Sequence, residues 1–445
     1  MVVLGLGSNL GDRLASLRLA LRALAKIANF RIEQVSPVYL SDALLPEDGS
    51  SSWDLPYLNL AIRCQTTLTP LELLQHTKNI EIALGRVPGK NWAPRPVDID
   101  ILAWDDLIQF DDKLHVPHEH LHTRPFALWP LADVAPRWIY PLKNAFYGKT
   151  ATEIAAQWGS RFTGDAPLHT QQIAQRIDTP QLVGILNVTQ DSFSDGGLHA
   201  DVDAALTHAR QMVTSGAEII DIGAEATGPK AKPLDAATEW HRLEPVLTAI
   251  LAERQTMLLT PKISIDTYHP EVAKKALTLG ADWINDVSGL SNPDMIEVVS
   301  HSTHDIVIMH QLSLPVDPKK VLPFSSDPVA IVYSWAEKKL LALEKAGIQP
   351  ERLILDVGIG FGKTAEQSLE LLQRINTFKS LPARLLVGHS RKSFLQLFTD
   401  KKAADRDIET LAISLSLLSQ EIDYLRIHEV DVCARGFKVA KTFNP

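Results

Sequence analysis

The sequence predicts two domains of different class: an N-terminal α+β sandwich of ferredoxin-like plan, then a C-terminal (β/α)8 TIM barrel. Three observations carry this. The chain has 445 residues, more than a single hydrophobic core commonly serves. Its first part mixes strands and helices without strict alternation. From residue 180 onward, eight short apolar runs alternate with helical patterns over about 260 residues, the count and size of a barrel. A doubly wound open sheet is the architecture that the same alternation would also allow.

Taken in order, Val2–Leu6 is an apolar strand, and Asp12–Ala28 carries apolar residues at helical spacing. Phe30–Tyr39 and Asn59–Thr66 read as strands. Pro70 opens a helix running to about Leu84. Val97–Ala103 is a further strand. This β-α-β-β-α-β order sets helices on one face of an antiparallel sheet. The barrel strands are expected at Leu182–Asn187, Ile219–Gly223, Lys262–Asp266, Trp283–Val287, Asp305–His310, Leu353–Gly358, Arg384–Gly388 and Tyr424–His428. Between the two patterns the chain is polar, with Gly, Asp-Ala-Pro and a Gln-rich piece. The expected division is therefore 1–160, a linker at 161–179, and 180–445.

Composition narrows the function classes. Forty-four basic against 53 acidic residues leave a net charge of −9, the wrong sign for a general nucleic-acid binder. No apolar run is long enough for a membrane span. Two cysteines, Cys64 and Cys433, rule out a disulfide framework or a Cys-based zinc site and suggest a reducing compartment. Val2–Leu6 reads as a strand rather than a leader, so a cytoplasmic location is expected.

The first candidate site lies in Arg95-Pro96-Val97-Asp98-Ile99-Asp100. Alternation along a strand sends Val97, Ile99 and Ile101 to the core and both acids to the other face. Their carboxylates would stand roughly 6–7 Å apart and repel by roughly 2.5 kcal/mol at an effective dielectric of about 20. A cation between them would relieve that, and hard oxygen donors suit Mg²⁺. A solvated edge strand with two acids is the alternative. Arg86, Arg95, His118 and Arg124 add the elements of a polyphosphate clamp. Tyr57, Asn59 and Phe126 supply two aromatic faces and an amide, suited to a flat heterocycle, although core packing would also account for the rings.

These segments, with Gly7-Ser8-Asn9-Leu10, Tyr57-Leu58-Asn59, Gly85-Arg86, Trp92-x-Pro94-Arg95-x-x-Asp98-x-Asp100, and Pro117-His118 through Trp129-Pro130-Leu131, resemble hydroxymethyl-dihydropterin pyrophosphokinases over nearly all of residues 1–160. The family transfers pyrophosphate from ATP to a pterin hydroxymethyl group. The resemblance implies two Mg²⁺ at Asp98 and Asp100, phosphates held by Arg86, Arg95, His118 and Arg124, and the pterin held by Tyr57, Asn59 and Phe126. Two departures from the pattern are a long Leu40–Asp54 loop lacking the usual Thr-Pro, and Pro88 in place of a second arginine.

In barrels, residues at the C-terminal ends of the strands face the site. Here those positions hold Asn187, Asp266, Asn285, Asp356, Lys392, Arg426 and His428 after apolar runs. Asp266, Asn285 and Asp356 suit the guanidine-like edge of a pterin. Lys392 suits a carbonyl or a bound anion, Arg426 and His428 a leaving phosphate, and Asn187 a Mg²⁺ ion. The Gly-rich runs Gly196-Gly197 and Gly358-x-Gly360-Phe361-Gly362 allow close backbone approach. With Asp191-Ser192-Phe193-Ser194-Asp195-Gly196-Gly197, Asp221-Ile222-Gly223-Ala224-Glu225 and Ser390-Arg391-Lys392, the pattern resembles dihydropteroate synthases over about 180–442.

That family joins dihydropterin-CH₂-pyrophosphate to para-aminobenzoate. The resemblance implies one Mg²⁺, pyrophosphate release aided by Arg426 and His428, and a pterin cation stabilised by Asp356. It also implies substrate contacts from Thr227, and a para-aminobenzoate pocket lined by Phe361, Ser390 and Pro229. It implies pairing of the barrel as a homodimer. Gln190 stands where the family has Pro, and Gly228 where it has an arginine, with Lys230 nearby. Because the first family's product is the second's substrate, the chain reads as a bifunctional folate-synthesis enzyme. A barrel reduced to a pterin-binding or dimerising module, or a pterin-dependent methyltransferase, is the alternative.

Overall fold

The computed structural model describes residues 1–46, 49–87, 92–188, 197–225 and 233–443, with backbone alone at 197–200. Thr227, Pro229, Gly228, Lys230, Gln190 and Pro88 therefore lie outside the described residues. The chain divides into two compact units, Met1–Asp178 with Lys438–Pro445, and Thr179–Phe437.

The first unit contains β1 (Val2–Ser8), α1 (Arg13–Leu24), β2 (Phe30–Val35), β3 (Tyr39–Ser41), β4 (Tyr57–Thr66), α2 (Pro70–Ala83) and β5 (Asp98–Trp104). A small hairpin, β6 (Gln109–Phe110) with β7 (His115–Val116), precedes α3 (Pro125–Val134), α4 (Ala151–Ala155) and β8 (Gln171–Gln172). The sheet order is β5-β1-β4-β3-β8, with β2 also on β4 and the strands antiparallel. The single strand expected over Phe30–Tyr39 is two strands. Pro37 lacks an N–H for the ladder, and the Ser36 hydroxyl accepts from the Ala61 N–H.

The two faces of the sheet follow from alternation. Leu4 and Leu6 are buried, as is the α1 row Leu14, Leu17, Ala20 and Leu24, on a helix that packs against β1. Val3, Ala61 and Leu102 belong to a core with α3 and α4, including Leu128, Trp129 and Ile154. Helices thus cover more than the one face expected from the element order. Residues 161–178, read as linker in the sequence, pack onto the sheet. Strand β8 extends its edge, Arg176 donates to the Val35 carbonyl at 2.8 Å, and Arg161 meets Tyr39 and Asp133. Asp133 is a half-buried acid, and this guanidinium is its counter-ion.

The second unit contains β9 (Gln181–Asn187), α5 (Gly197–Thr214), β10 (Ala217–Gly223), α6 (Ala236–Glu253), β11 (Lys262–Asp266), α7 (Pro270–Leu279), β12 (Trp283–Asp286) and α8 (Pro293–Ser300). It continues with β13 (Asp305–Met309), α9 (Pro328–Lys345), β14 (Leu353–Asp356), α10 (Ala365–Gln373), β15 (Arg384–Val387), α11 (Asp407–Leu417), β16 (Tyr424–Ile427) and, as far as Phe437, α12 (Val430–Phe443). The eight strands pair in parallel and close, β16 against β9. The open-sheet alternative is thereby excluded. Val183, Ile219, Trp283, Val307, Ile354, Leu386 and Tyr424 form a buried cluster, with Trp283 edge-on to Tyr424 at 4.9 Å. Among the described residues, no helix is long and apolar enough to cross a membrane.

Ile354 is fully buried in that cluster. Ile354→Ala should lower the barrel's unfolding free energy by about 2–5 kcal/mol, read from urea denaturation by circular dichroism.

Candidate active sites

In the first unit, β5 pairs with β1 so that Asp98 stands opposite Gly7 and Asp100 opposite Gly5. A side chain at Gly7 would begin 3.3 Å from the Asn59 Oδ1 and 3.5 Å from Tyr57. The glycine therefore leaves open the space beside these groups. Tyr57, Asn59 and Ser41 come from β4 and β3, and Asn59 is fixed by donating to the Ser41 hydroxyl at 3.0 Å. Arg124 and Phe126 enter at the start of α3, the guanidinium 6.0 Å from the ring centre. These residues enclose a cavity of about 130 Å³ with Asp98 and Asp100 in its wall. The same two acids also line a second cavity of about 580 Å³, where Lys78, Arg95, His118 and Arg124 supply donors.

The two carboxylates are electrostatically unequal. Asp98 accepts from Arg86 at 2.5 Å and Arg95 at 3.0 Å. Burial works to raise its pKa, but Arg95, Lys78 and Arg86 outweigh that and hold it below the usual carboxylate range. Burial, and then the charge of Asp98, push Asp100 up to about 6. Lys78 lies 3.8 Å from Asp100 and 2.7 Å from the buried Glu81. Glu81 in turn accepts from the Ile99 N–H and from Arg86. Arg86 lines neither cavity and instead braces Asp98 against Glu81. Asn9 accepts from the Arg95 N–H at 2.8 Å and donates its own to the Arg95 carbonyl at 3.2 Å. Burial, then Arg124, lower His118 to about 4, so it meets a ligand as a neutral ring near pH 7.

Sequence reasoning overlooked Lys78 and Glu81. Their i, i+3 spacing on α2 was the available signal, though only the fold brings that face to β5.

Mg²⁺ fits this donor set, all oxygen and short of positive charge at Asp100. Among the described residues no cluster of three or more His, Cys, Asp or Glu is placed to hold a metal. Two carboxylates would leave the remaining positions to water and phosphate oxygens, the usual pattern for Mg²⁺.

In the barrel, the polar residues gather around a buried carboxylate that the sequence reading did not single out. Asp221 on β10 accepts from Arg426 Nε at 2.6 Å, Asn285 Nδ2 at 3.0 Å and the Ser264 hydroxyl at 2.5 Å. Arg426 also donates to Asp266 at 2.9 Å. Burial raises Asp266 to about 7 although Arg426 opposes it, with Asp221, Asp286 and Glu225 adding in the same direction. Asp356 accepts from the Gly358 N–H at 2.8 Å and is raised by burial. Lys392 donates to the Ile359 carbonyl at 2.7 Å and lies 4.7 Å from the Phe361 ring centre. Burial lowers its ammonium to about 8.

Ser390, expected in an aromatic-acid pocket, also holds His428. Its hydroxyl accepts from the His428 backbone N–H at 3.2 Å and lies 2.9 Å from the ring Nδ1. Burial, then Arg391 and Arg426, lower His428 to about 4. Arg391 is turned to Asp407 and Glu429. Phe361, Ser390, Lys392, Arg426 and His428 line a cavity of about 830 Å³, whereas Asp266, Asn285 and Asp356 do not line it and are tied to it through Arg426 and Lys392. Asn187 ends β9 beside Gly223, with an exposed amide that could serve as a single oxygen donor to Mg²⁺.

A second acidic group stands beside Asp266. Glu239 accepts from the Thr267 hydroxyl at 3.0 Å, and Glu225 from Tyr268 at 2.7 Å. Burial, then the charges of Glu225 and Asp266, raise Glu239 to about 8 despite Thr267. Its folded-state pKa lies above the unfolded one. The stability it contributes is present below the ordinary glutamate range and is lost as pH rises through about 8. The thermal stability of the barrel should therefore fall between pH 5 and pH 9, and Glu239→Gln should flatten that decline.

Comparison with known proteins gives each half its relatives. Residues 3–136 match the family model of 7,8-dihydro-6-hydroxymethylpterin-pyrophosphokinase, and residues 183–428 that of the pterin binding enzymes. A folate synthesis bifunctional protein of Chlamydia muridarum is 38% identical over 97% of this chain and 95% of its own. The mitochondrial folate synthesis bifunctional protein of Arabidopsis thaliana is 34% identical over 98% and 82%. The solved dihydropteroate synthase of Anaplasma phagocytophilum, bound to 6-hydroxymethylpterin-monophosphate, matches 60% of this chain and 99% of its own, with 35% identity and a TM-score of 0.54. That of Xanthomonas albilineans with 4-aminobenzoic acid covers 60% and 94%, at 32% identity and a TM-score of 0.55.

Proposed function

The chain belongs to the bifunctional folate-synthesis family, a hydroxymethyl-dihydropterin pyrophosphokinase joined to a dihydropteroate synthase, and from that membership we propose how its residues divide the two reactions. The module and methyltransferase readings of the barrel are set aside. The kinase assignment rests on one observation: Asp98 and Asp100 stand in the wall common to a small aromatic-lined cavity and a larger cation-lined one.

The pterin occupies the smaller cavity between Tyr57 and Phe126, with Asn59 reading its edge. ATP phosphates occupy the larger one, gripped by Arg95, Arg124 and Lys78, with neutral His118 as a further polar contact. Asp98 and Asp100 hold two Mg²⁺, which when bound neutralise phosphate charge. Arg86 acts on the phosphates through Asp98, whose orientation it sets. The pterin hydroxymethyl oxygen bonds to the β-phosphorus of ATP and AMP departs. The protein's share is alignment and charge placement.

In the barrel, Asp266, Asn285 and Asp356 take the donors of the pterin ring, and Lys392 takes an acceptor. Thr227 contributes to the pterin pyrophosphate contacts. Arg426 and His428 receive the departing pyrophosphate, and Asn187 would hold the one Mg²⁺ of this site. As the carbon–oxygen bond to pyrophosphate breaks, the Asp356 carboxylate faces the growing positive charge on the pterin. The amine of para-aminobenzoate, seated against Phe361, Ser390 and Pro229, then bonds to that carbon. The barrel pairs as a homodimer, for which Ile408 on α11 offers an exposed apolar contact. The buried free thiols of Cys64 and Cys433 support a reducing, cytoplasmic setting.

Purified protein given ATP, Mg²⁺, hydroxymethyl-dihydropterin and para-aminobenzoate should form AMP and dihydropteroate. Asp98→Ala should abolish AMP formation and leave synthesis from presynthesised pterin pyrophosphate intact. Lys392→Ala should lower only the synthase rate, by about 100-fold or more. Loss of both activities from either folded variant would refute this division of labour.

A further inference from the structure

We propose that Lys363, which none of the roles above uses, is a positioning residue that sets the para-aminobenzoate pocket by tying the Phe361 backbone to the end of β13. This rests on the reading of Phe361 as a wall of that pocket. Lys363 is only 6% exposed, on the loop that lines the large barrel cavity. A buried ammonium is costly unless its protons are taken up. Here it donates to the Phe361 carbonyl at 2.9 Å, to His310 Nδ1 at 2.9 Å and, weakly, to the His310 carbonyl at 3.4 Å. All are neutral acceptors. Burial, then the Lys363 charge, lower His310 to about 3, so its ring stays neutral and available to accept.

His310 is itself a firm anchor. Its N–H donates to the Asp356 carbonyl at 3.0 Å, and its ring stands edge-on to Trp335 at 4.9 Å. The loop approaches it closely enough to require a glycine. Gly358 has φ +70°, and a Cβ there would fall 1.8 Å from the His310 carbonyl oxygen. Lys392 holds the opposite side of the same loop through the Ile359 carbonyl. The two lysines thus hold the carbonyls on either side of Gly360, and the Lys392 ammonium lies over the Phe361 ring, 4.7 Å from its centre. Lys392 has a substrate to meet. Lys363, with its protons committed to the protein, remains the resident anchor of the loop.

The test is steady-state synthase kinetics on the full chain with presynthesised pterin pyrophosphate, with AMP formation by the first unit as an internal control. Lys363→Met should raise the KM for para-aminobenzoate about tenfold, the order of one hydrogen bond, and leave the KM for pterin pyrophosphate within about twofold. His310→Leu removes the acceptor while keeping bulk. It should shift the same KM in the same direction, and it carries the test if the methionine variant does not fold. An unchanged para-aminobenzoate KM, a fall in kcat alone, or an equal rise in both KM values would overturn the proposal. Phe361→Leu separates the two levels. If it leaves the para-aminobenzoate KM unchanged, the assignment of the pocket wall fails and this inference falls with it. If it raises that KM while Lys363→Met does not, only the inference about Lys363 fails.

Discussion

A carboxylate withdrawn from water must be met by donors, and in the barrel Asp221 imposes that requirement on everything around it. It is almost fully buried, and its oxygens are taken by Arg426, Asn285 and Ser264, from three other strands. Once Arg426 is drawn in, its second arm reaches Asp266. The acids and amide suited to a pterin are thereby held together with the cation suited to its leaving group. Removing Asp221 would leave a buried guanidinium with one partner fewer, which is why the cluster acts as a unit.

The same constraint organises the first unit. Asp98 and Asp100 can share a strand face because Arg86, Arg95 and Lys78 surround them, and because Glu81 holds two of those cations in place. The inequality that results gives the pair a division of labour. Asp98 is kept ionised by its neighbours, whereas Asp100 is left with a deficit of positive charge that an arriving cation would fill. Glycines at 5 and 7 keep the adjacent strand free of side chains where it lines the smaller cavity. Both active regions therefore combine rigid sheet positions with charges whose partners come from distant segments.

Local pattern made much of this legible. Alternation in Val97–Ile101 placed both acids on one face, and the eight apolar runs located every barrel strand to within a few residues. Arg426 and His428 were readable because they share a parity at a strand end. Asp221 was not, since an acid inside an apolar run gives no sign of its partners until the barrel closes. Lys78 and Glu81 were hidden for a related reason, as helix residues whose i, i+3 pair looks like any solvated one. Residues 161–178 looked like a linker because their polarity is satisfied by the sheet edge and by Asp133, neither visible in a local window.

By itself, then, the sequence determined the two fold classes, the family resemblance of each half, and which polar residues interrupt apolar strands. Those follow from side-chain period and residue type, which are properties of neighbours along the chain. Only the tertiary structure decided that Arg86 braces Asp98 rather than lining a cavity, that Ser390 meets the ring of His428, and that Lys363 is spent on Phe361 and His310. Each of these depends on which donor reaches which acceptor across long stretches of chain. Burial makes such pairing obligatory, and only the fold selects the partners.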